Sequence, residues 1–150
     1  MRAVIQRVSE AILSVEHIPK CSIELGLVVL LGIEHEDTEE DASWLAKKIA
    51  NLRIFYNDEG VKDLSVIDVN GEILVVSQFT LYARTKKGNR PAYIDAAHPD
   101  ISKPLYELFV KKLQQEINKK IMTGIFGSYM QINMINDGPV TIIIDTKANK

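Results

Sequence analysis

The sequence predicts an α/β fold that is rich in strands and carries two main helices. Three observations lead there: strand-like runs crowd the N-terminal third, two segments repeat apolar residues at helical spacing, and turn formers punctuate the remaining β-like runs. At 150 residues the chain has the length of one domain, expected to span residues 1–150, and can bury a core without disulfides or metals. The last few residues are expected to form a flexible tail.

Residues 2–8 and 11–16 place β-branched and aliphatic side chains at near-alternating positions, and residues 27–33 read as a fully buried strand. Thr38-Glu39-Glu40-Asp41 is a capping box, whose hydroxyl and carboxylate satisfy free N–H groups at a helix start. The helix then runs to about Leu52, with Ala42, Leu45, Ala46, Ile49 and Leu52 on one face. Asn70-Gly71 readily takes the positive φ angles of a type I′ turn, so residues 64–69 and 72–77 are expected to pair as a hairpin. The second helix covers roughly residues 102–119, with Pro104 in its first turn and Leu105, Leu108, Phe109, Leu113 and Ile117 on one face. Lys111, Lys112, Lys119 and Lys120 suit its C-terminal dipole and read as a solvated face.

Residues 130–135 and 140–144 are further strand-like runs, separated by Asn136-Asp137-Gly138-Pro139. A hairpin turn is the ordinary expectation. Yet Pro139 has no N–H to give a ladder, so Gly-Pro is an unusual way to close one. The pair is either a bend or a stretch of backbone with its own task.

With 18 basic and 20 acidic residues the net charge is −2, which offers no general attraction for polyanions. No DNA partner is expected, and any nucleic-acid contact must be local. Cys21 is alone and cannot form an intramolecular disulfide, and M-R-A-V-I-Q-R-V lacks the layout of a signal peptide. The longest apolar run, residues 25–33, is too short to cross a bilayer. These features point to a cytoplasmic protein with no membrane partner.

His17, His35 and His98 are not spaced as metal ligands, so no metal and no cofactor is expected. No G-x-S-x-G elbow, P-loop or G-x-G-x-x-G occurs, which leaves chemistry to hydroxyls, amides and backbone. In V-V-S-Q-F-T-L a buried-looking strand ends on Ser77, Gln78 and Thr80, which is how a pocket acquires fixed hydrogen-bonding groups. Ser and Thr also occur at strand ends for structural reasons alone. Residues 80–99 form a long segment without periodicity, containing Arg84, Lys86, Lys87 and Arg90. Such a cluster either holds phosphates or is solvated surface. Cys21 reads as a small core hydrophobe, since nothing near it in sequence would lower its pKa.

Taken together, the segments M-R-A-V-I-Q-R-V, L-V-V-L-L-G-I-E, L-R-I-F, V-V-S-Q-F-T-L, N-R-P-A-Y, T-G-I-F-G-S-Y-M and N-D-G-P-V-T resemble the D-aminoacyl-tRNA deacylases of the bacterial and eukaryotic type. The resemblance covers the whole chain, and the S-Q-F-T and N-x-G-P-x-T pair is its most specific part. It implies one domain of β/β/α layers with mixed sheets, a homodimer, and hydrolysis of the ester joining a D-amino acid, or glycine, to the 3′ end of tRNA. It implies that Gly138-Pro139 is a cis peptide inserted into the partner's pocket, where its carbonyls hold the α-amino group and exclude L side chains. Ser77, Gln78, Phe79 and Thr80 would then line the ester site. Phe126 and Met130 match positions that hold the terminal adenine, although each also suits an ordinary core. Thr80 is either a nucleophile or a positioning group; no base is evident beside it, which favours positioning. Tyr93 stands where many relatives have Phe, and Ser128 where Ala is common, so details of the pocket wall differ. Two rival readings are an inactive dimeric protein that binds tRNA ends and an esterase of small molecules.

Overall fold

The computed structural model describes residues 1–149. Strand β1 (Arg2–Val15) takes in both predicted N-terminal runs without a break. Glu16 and His17, both at positive φ, reverse the chain, and β2 (Ile18–Ile23) and β3 (Gly26–Gly32) return in succession along one edge of β1. Helix α1 (Glu39–Ala50) begins at the expected box: the Asp41 N–H donates to Thr38 Oγ1 at 3.4 Å, and the Thr38 N–H donates to Asp41 Oδ2 at 2.9 Å.

The hairpin expected about Asn70-Gly71 does not form. Strand β4 (Phe55–Tyr56) pairs with β5 (Lys62–Leu64), and the next residues coil into a turn in which the Asp68 carboxylate accepts the Ser65 N–H and hydroxyl, both at 2.8 Å. Asn70 does take φ 52°, so the local preference is met. The partner is a different one: β6 (Glu72–Ser77) runs parallel to β3, with Gly26 opposite Glu72 and Leu31 opposite Ser77. The run I-L-V-V is buried on both faces, which suits an interior parallel strand better than a two-stranded hairpin.

A short 3₁₀ turn (Phe79–Tyr82) follows β6. Helix α2 (Pro99–Ile117) starts earlier than predicted, because His98 caps it and Pro99 takes the first position; Pro104 therefore lies in the second turn. Its buried face is Ser102, Tyr106, Phe109 and Leu113, with Leu105, Leu108 and Ile117 only partly covered. Strand β7 (Met122–Thr123) adds to the free edge of β6. Strand β8 (Met130–Asp145) then lies antiparallel along nearly all of β1. Since β2 and β3 occupy one edge of β1, β8 holds the other, and its outer edge carries no strand among the described residues.

The main sheet thus has order β2-β1-β3-β6-β7, with β8 beside β1, antiparallel in its first part and parallel across β3, β6 and β7. Leu27, Val29, Leu31, Ile73 and Val75 face α1 and α2 in one core. Val28, Leu74 and Val76 point the other way and meet Val8, Ala11, Leu13 and Met130 in a second, as the sheet curls over itself. Those two cores account for the β/β/α layering. The terminal stretch expected as a tail forms α3 (Thr146–Asn149), whose Thr146 N–H donates to the Met1 carbonyl at 2.9 Å; Lys150 lies outside the described residues. Among the described residues no helix is long and apolar enough to cross a membrane.

Candidate active site

The end of β6 is where a buried strand turns into exposed chemistry. The Gln78 N–H donates to the Leu31 carbonyl at 2.7 Å, which carries the β3–β6 ladder one residue past the strand. The chain then tightens into the 3₁₀ turn. Gln78 caps that turn without a side-chain bond, and the N–H groups of Phe79 and Thr80 have no partner among the described residues. Two unpaired donors side by side on a fixed turn can stabilise an oxygen that gains negative charge.

Beside them lies a cavity of about 240 Å³. Its walls bring together five of the site residues expected from the sequence: Ser77, Gln78 and Phe79 from β6 and the turn, Phe126 from the loop before β8 and Met130 at the start of β8. Leu31 comes from the end of β3 and Ile33 from just past it, Ser102 from α2, and Gly127 and Ser128 from the loop before β8. Thr80 does not line the cavity but is tied to a residue that does: the Gln78 amide Nε2 donates to Thr80 Oγ1 at 2.5 Å. In that bond the hydroxyl is the acceptor. No carboxylate or imidazole receives its proton among the described residues, so nothing there raises its nucleophilicity.

Phe126 is held from behind. Tyr106 of α2 approaches it with ring centroids 5.8 Å apart and donates its hydroxyl to the Val75 carbonyl at 3.0 Å. Burial pushes this phenol up to about 12, so it remains a donor at neutral pH. On the other side, Phe79 meets Tyr93 edge to face at 5.0 Å, which ties the long loop to the cavity rim.

The basic cluster of that loop is smaller than its sequence suggests. Arg84 donates to both carboxylate oxygens of Asp95, and its backbone bridges to Ala92. The Arg84 hydrogen bond is the main cause holding the Asp95 carboxyl below its usual range. Lys86, Lys87 and Arg90 are exposed, with no intramolecular partner among the described residues, and they do not line the cavity. Cys21 is half-buried with its thiol 3.6 Å from the Thr123 carbonyl, and burial raises its pKa.

Gly138 and Pro139 lie elsewhere. Within β8 the register slips: Val8 faces Asn136 and Gln6 faces Thr141, so residues 137–140 stand against the single residue Arg7. The stretch is neither hairpin nor bend but a bulge in one continuous strand. Its Gly138–Pro139 peptide is cis, and Gly138 adopts φ 128°, a conformation that L side chains rarely take. A Cβ there would come within 2.9 Å of Arg7 Nη2 and Val140 Cγ2. Neither residue lines the cavity of its own chain.

Arg7 is the residue that the sequence reading missed. It is 2% exposed, donates to the carbonyls of Ile54 at 2.6 Å and Asp137 at 3.1 Å, and lies over the Tyr56 ring. The signal was present in A-V-I-Q-R-V, where Arg7 takes the inward phase of Ala3 and Ile5. A charge on the buried face of a strand needs fixed acceptors, and here they are two backbone carbonyls, with the Asp137 carboxylate 3.5 Å from Arg7 Nε.

The family model described as "D-Tyr-tRNA(Tyr) deacylase" matches residues 4–145. A "D-aminoacyl-tRNA deacylase" from Flavobacterium johnsoniae is 57% identical over 98% of both chains. A solved structure described as "c-Myc DNA Unwinding Element Binding Protein" is 40% identical, covers 97% of this chain and 98% of its own, and superposes with a TM-score of 0.91. Another, "Structural Analysis of a probable eukaryotic D-amino acid tRNA deacylase", shares 16% identity and the fold, with a TM-score of 0.83 over 95% of this chain and 97% of its own. The chain therefore belongs to the D-Tyr-tRNA(Tyr) deacylase family.

Proposed function

We propose that this single-domain protein hydrolyses the ester of D-aminoacyl-tRNA, releasing free D-amino acid and tRNA. The observation that carries the reading is the cavity itself, where residues nearly fifty positions apart in sequence, Gln78 and Phe126, meet beside the unpaired N–H groups of Phe79 and Thr80. Phe126 and Met130 receive the terminal adenine, for which an aromatic face offers stacking. The ester carbonyl lies towards the turn, and the two N–H groups and the Gln78 amide stabilise the oxyanion formed when water attacks. Thr80 positions Gln78, and the 2′-hydroxyl of the terminal ribose assists the water.

The same reading makes the protein a cytoplasmic homodimer, its substrate being the charged tRNA of translation. Support for the dimer comes from the open outer edge of β8, with Ile135 and Ile143 exposed on it. The bulge lies on that strand and outside its own cavity, so Gly138 and Pro139 serve the partner's site. Their backbone carbonyls hold the substrate's α-amino group and leave no room for an L side chain. Glycine, with no side chain, is also accepted. Backbone suits this task because it cannot rotate away as a side chain can.

The test is release of D-tyrosine from D-tyrosyl-tRNA, set beside L-tyrosyl-tRNA and a free D-tyrosine alkyl ester. Turnover of the first alone supports the reading. Hydrolysis of the alkyl ester at a similar rate would make the protein a small-molecule esterase, and binding without turnover would make it a tRNA-end-binding protein.

A further inference from the structure

A second groove adjoins the cavity through Phe126, which lines both. It runs between α2 and residues 123–126 and has a volume of about 430 Å³. Two cations stand on its walls from different elements, Lys20 of β2 and Lys103 of the first turns of α2. Lys20 is steadied by donating to the Thr123 carbonyl at 2.6 Å, and Lys103 is exposed and bonded to nothing among the described residues. Glu107 lies one turn beyond Lys103 on the same helix and is the one carboxylate on the groove's walls, against two lysines.

A nucleic acid whose terminal base sits against Phe126 has to leave the cavity as a strand of phosphates. On the Phe79 side the rim carries the edge-to-face contact with Tyr93, and Arg84 of that loop is paired with Asp95. On the Phe126 side the cavity and the groove share that ring as a common wall, so a strand passing its edge meets the groove next. Compact ammonium groups on flexible stems suit sequence-independent phosphate contacts on a single strand.

We infer that the groove flanked by Lys20 and Lys103 holds the phosphates that immediately precede the terminal adenosine of the bound RNA. This rests on the reading that the cavity takes that adenosine. The site is a phosphate subsite for single-stranded RNA, and it acts on the affinity for the tRNA end rather than on ester cleavage.

The test is a Lys20→Gln/Lys103→Gln double variant assayed on two substrates, D-tyrosyl-tRNA and D-tyrosyl-adenosine, the second having no phosphate. The inference expects KM for the tRNA to rise with kcat unchanged. Losing two contacts to a single strand makes the slope of log(kcat/KM) against log[salt] shallower by about 1.4. Activity on D-tyrosyl-adenosine stays at the parental level, and Lys20→Arg/Lys103→Arg recovers most of the tRNA affinity. Equal losses on both substrates would mean that the lysines only support the fold, and no loss on either would mean that the strand leaves by another route; each overturns the inference. A parent protein inactive on both substrates would instead overturn the underlying reading of the cavity, and the inference with it.

Discussion

Arg7 and Asp137 face each other across the β1–β8 ladder, and the Arg7 guanidinium donates from Nε to the Asp137 carbonyl at 3.1 Å. The same guanidinium donates to the Ile54 carbonyl, so one buried cation fixes the bulge against the body of the protein. Replacing Arg7 by Met leaves both carbonyls without a donor. We expect a loss of about 3 kcal/mol in denaturant unfolding, with deacylation falling further than stability alone explains. A variant as stable and as active as the parent would show that the bulge holds itself.

Gly138 sets a sharper test of the cross-subunit reading. Gly138→Ala puts a methyl group within 2.9 Å of Arg7 Nη2 at φ 128°, which costs roughly 1–3 kcal/mol of local strain and displaces the neighbouring carbonyls. Deacylation by that variant should fall, and so should that of Gln78→Ala. If the bulge serves the partner's cavity, mixing the two chains leaves one hybrid site with both parts intact and recovers part of the rate. Absence of recovery after demonstrated subunit exchange would assign the bulge to its own chain.

Thr80 accepts a hydrogen bond from Gln78 and, among the described residues, gives its proton to no base. Thr80→Ala should therefore lose no more than about tenfold in kcat, the worth of one neutral hydrogen bond. Thr80→Ser should lie nearer the parent. An acyl adduct on Thr80, found by mass spectrometry after rapid quenching with D-tyrosyl-tRNA, would establish a nucleophile instead.

Of the four loop cations, Arg84 is paired with Asp95, while Lys86, Lys87 and Arg90 have no partner among the described residues. Substituting those three by Gln should make the salt dependence of tRNA binding shallower by about 2 if each meets a phosphate. Arg84→Gln should barely change that slope. Identical slopes for the triple variant and the parent would show that the loop is solvated surface.

Asp145 supplies a pH test. Partial burial would raise its pKa, but hydrogen bonds from the Arg2 side chain and the Lys147 N–H outweigh that and hold it below the usual carboxylate range. A group with a depressed folded pKa contributes stability above its unfolded pKa and loses it as pH falls through the folded value. Asp145→Asn should therefore be less stable than the parent at neutral pH, by about 1 kcal/mol for a partly exposed pair. The difference should close as pH drops from about 4 towards 2 in thermal melts. A difference independent of pH would point to packing rather than charge.

Local rules in the sequence determined much of this molecule. Thr38 and Asp41 had to start a helix because their side chains supply what its first N–H groups lack. The strand ending in Ser77-Gln78 was legible from its change of polarity. The block Phe126 to Met130 was legible only through the likeness of its motif to a family. What remained hidden depends on partners distant in sequence. Asn70 takes its turn conformation, yet whether β6 pairs with the run before it or with β3 is decided by a buried parallel ladder that no short window contains. Gly138 and Pro139 read as a turn because their own preferences are those of a turn. They form a bulge because Val8 and Gln6 of β1 pair on either side of them, and Arg7 fills the gap. Arg84 counted as a free cation until Asp95, eleven residues on, was folded against it. Pairing across the fold adds energies that a local propensity, worth about 1 kcal/mol or less per residue, cannot outweigh.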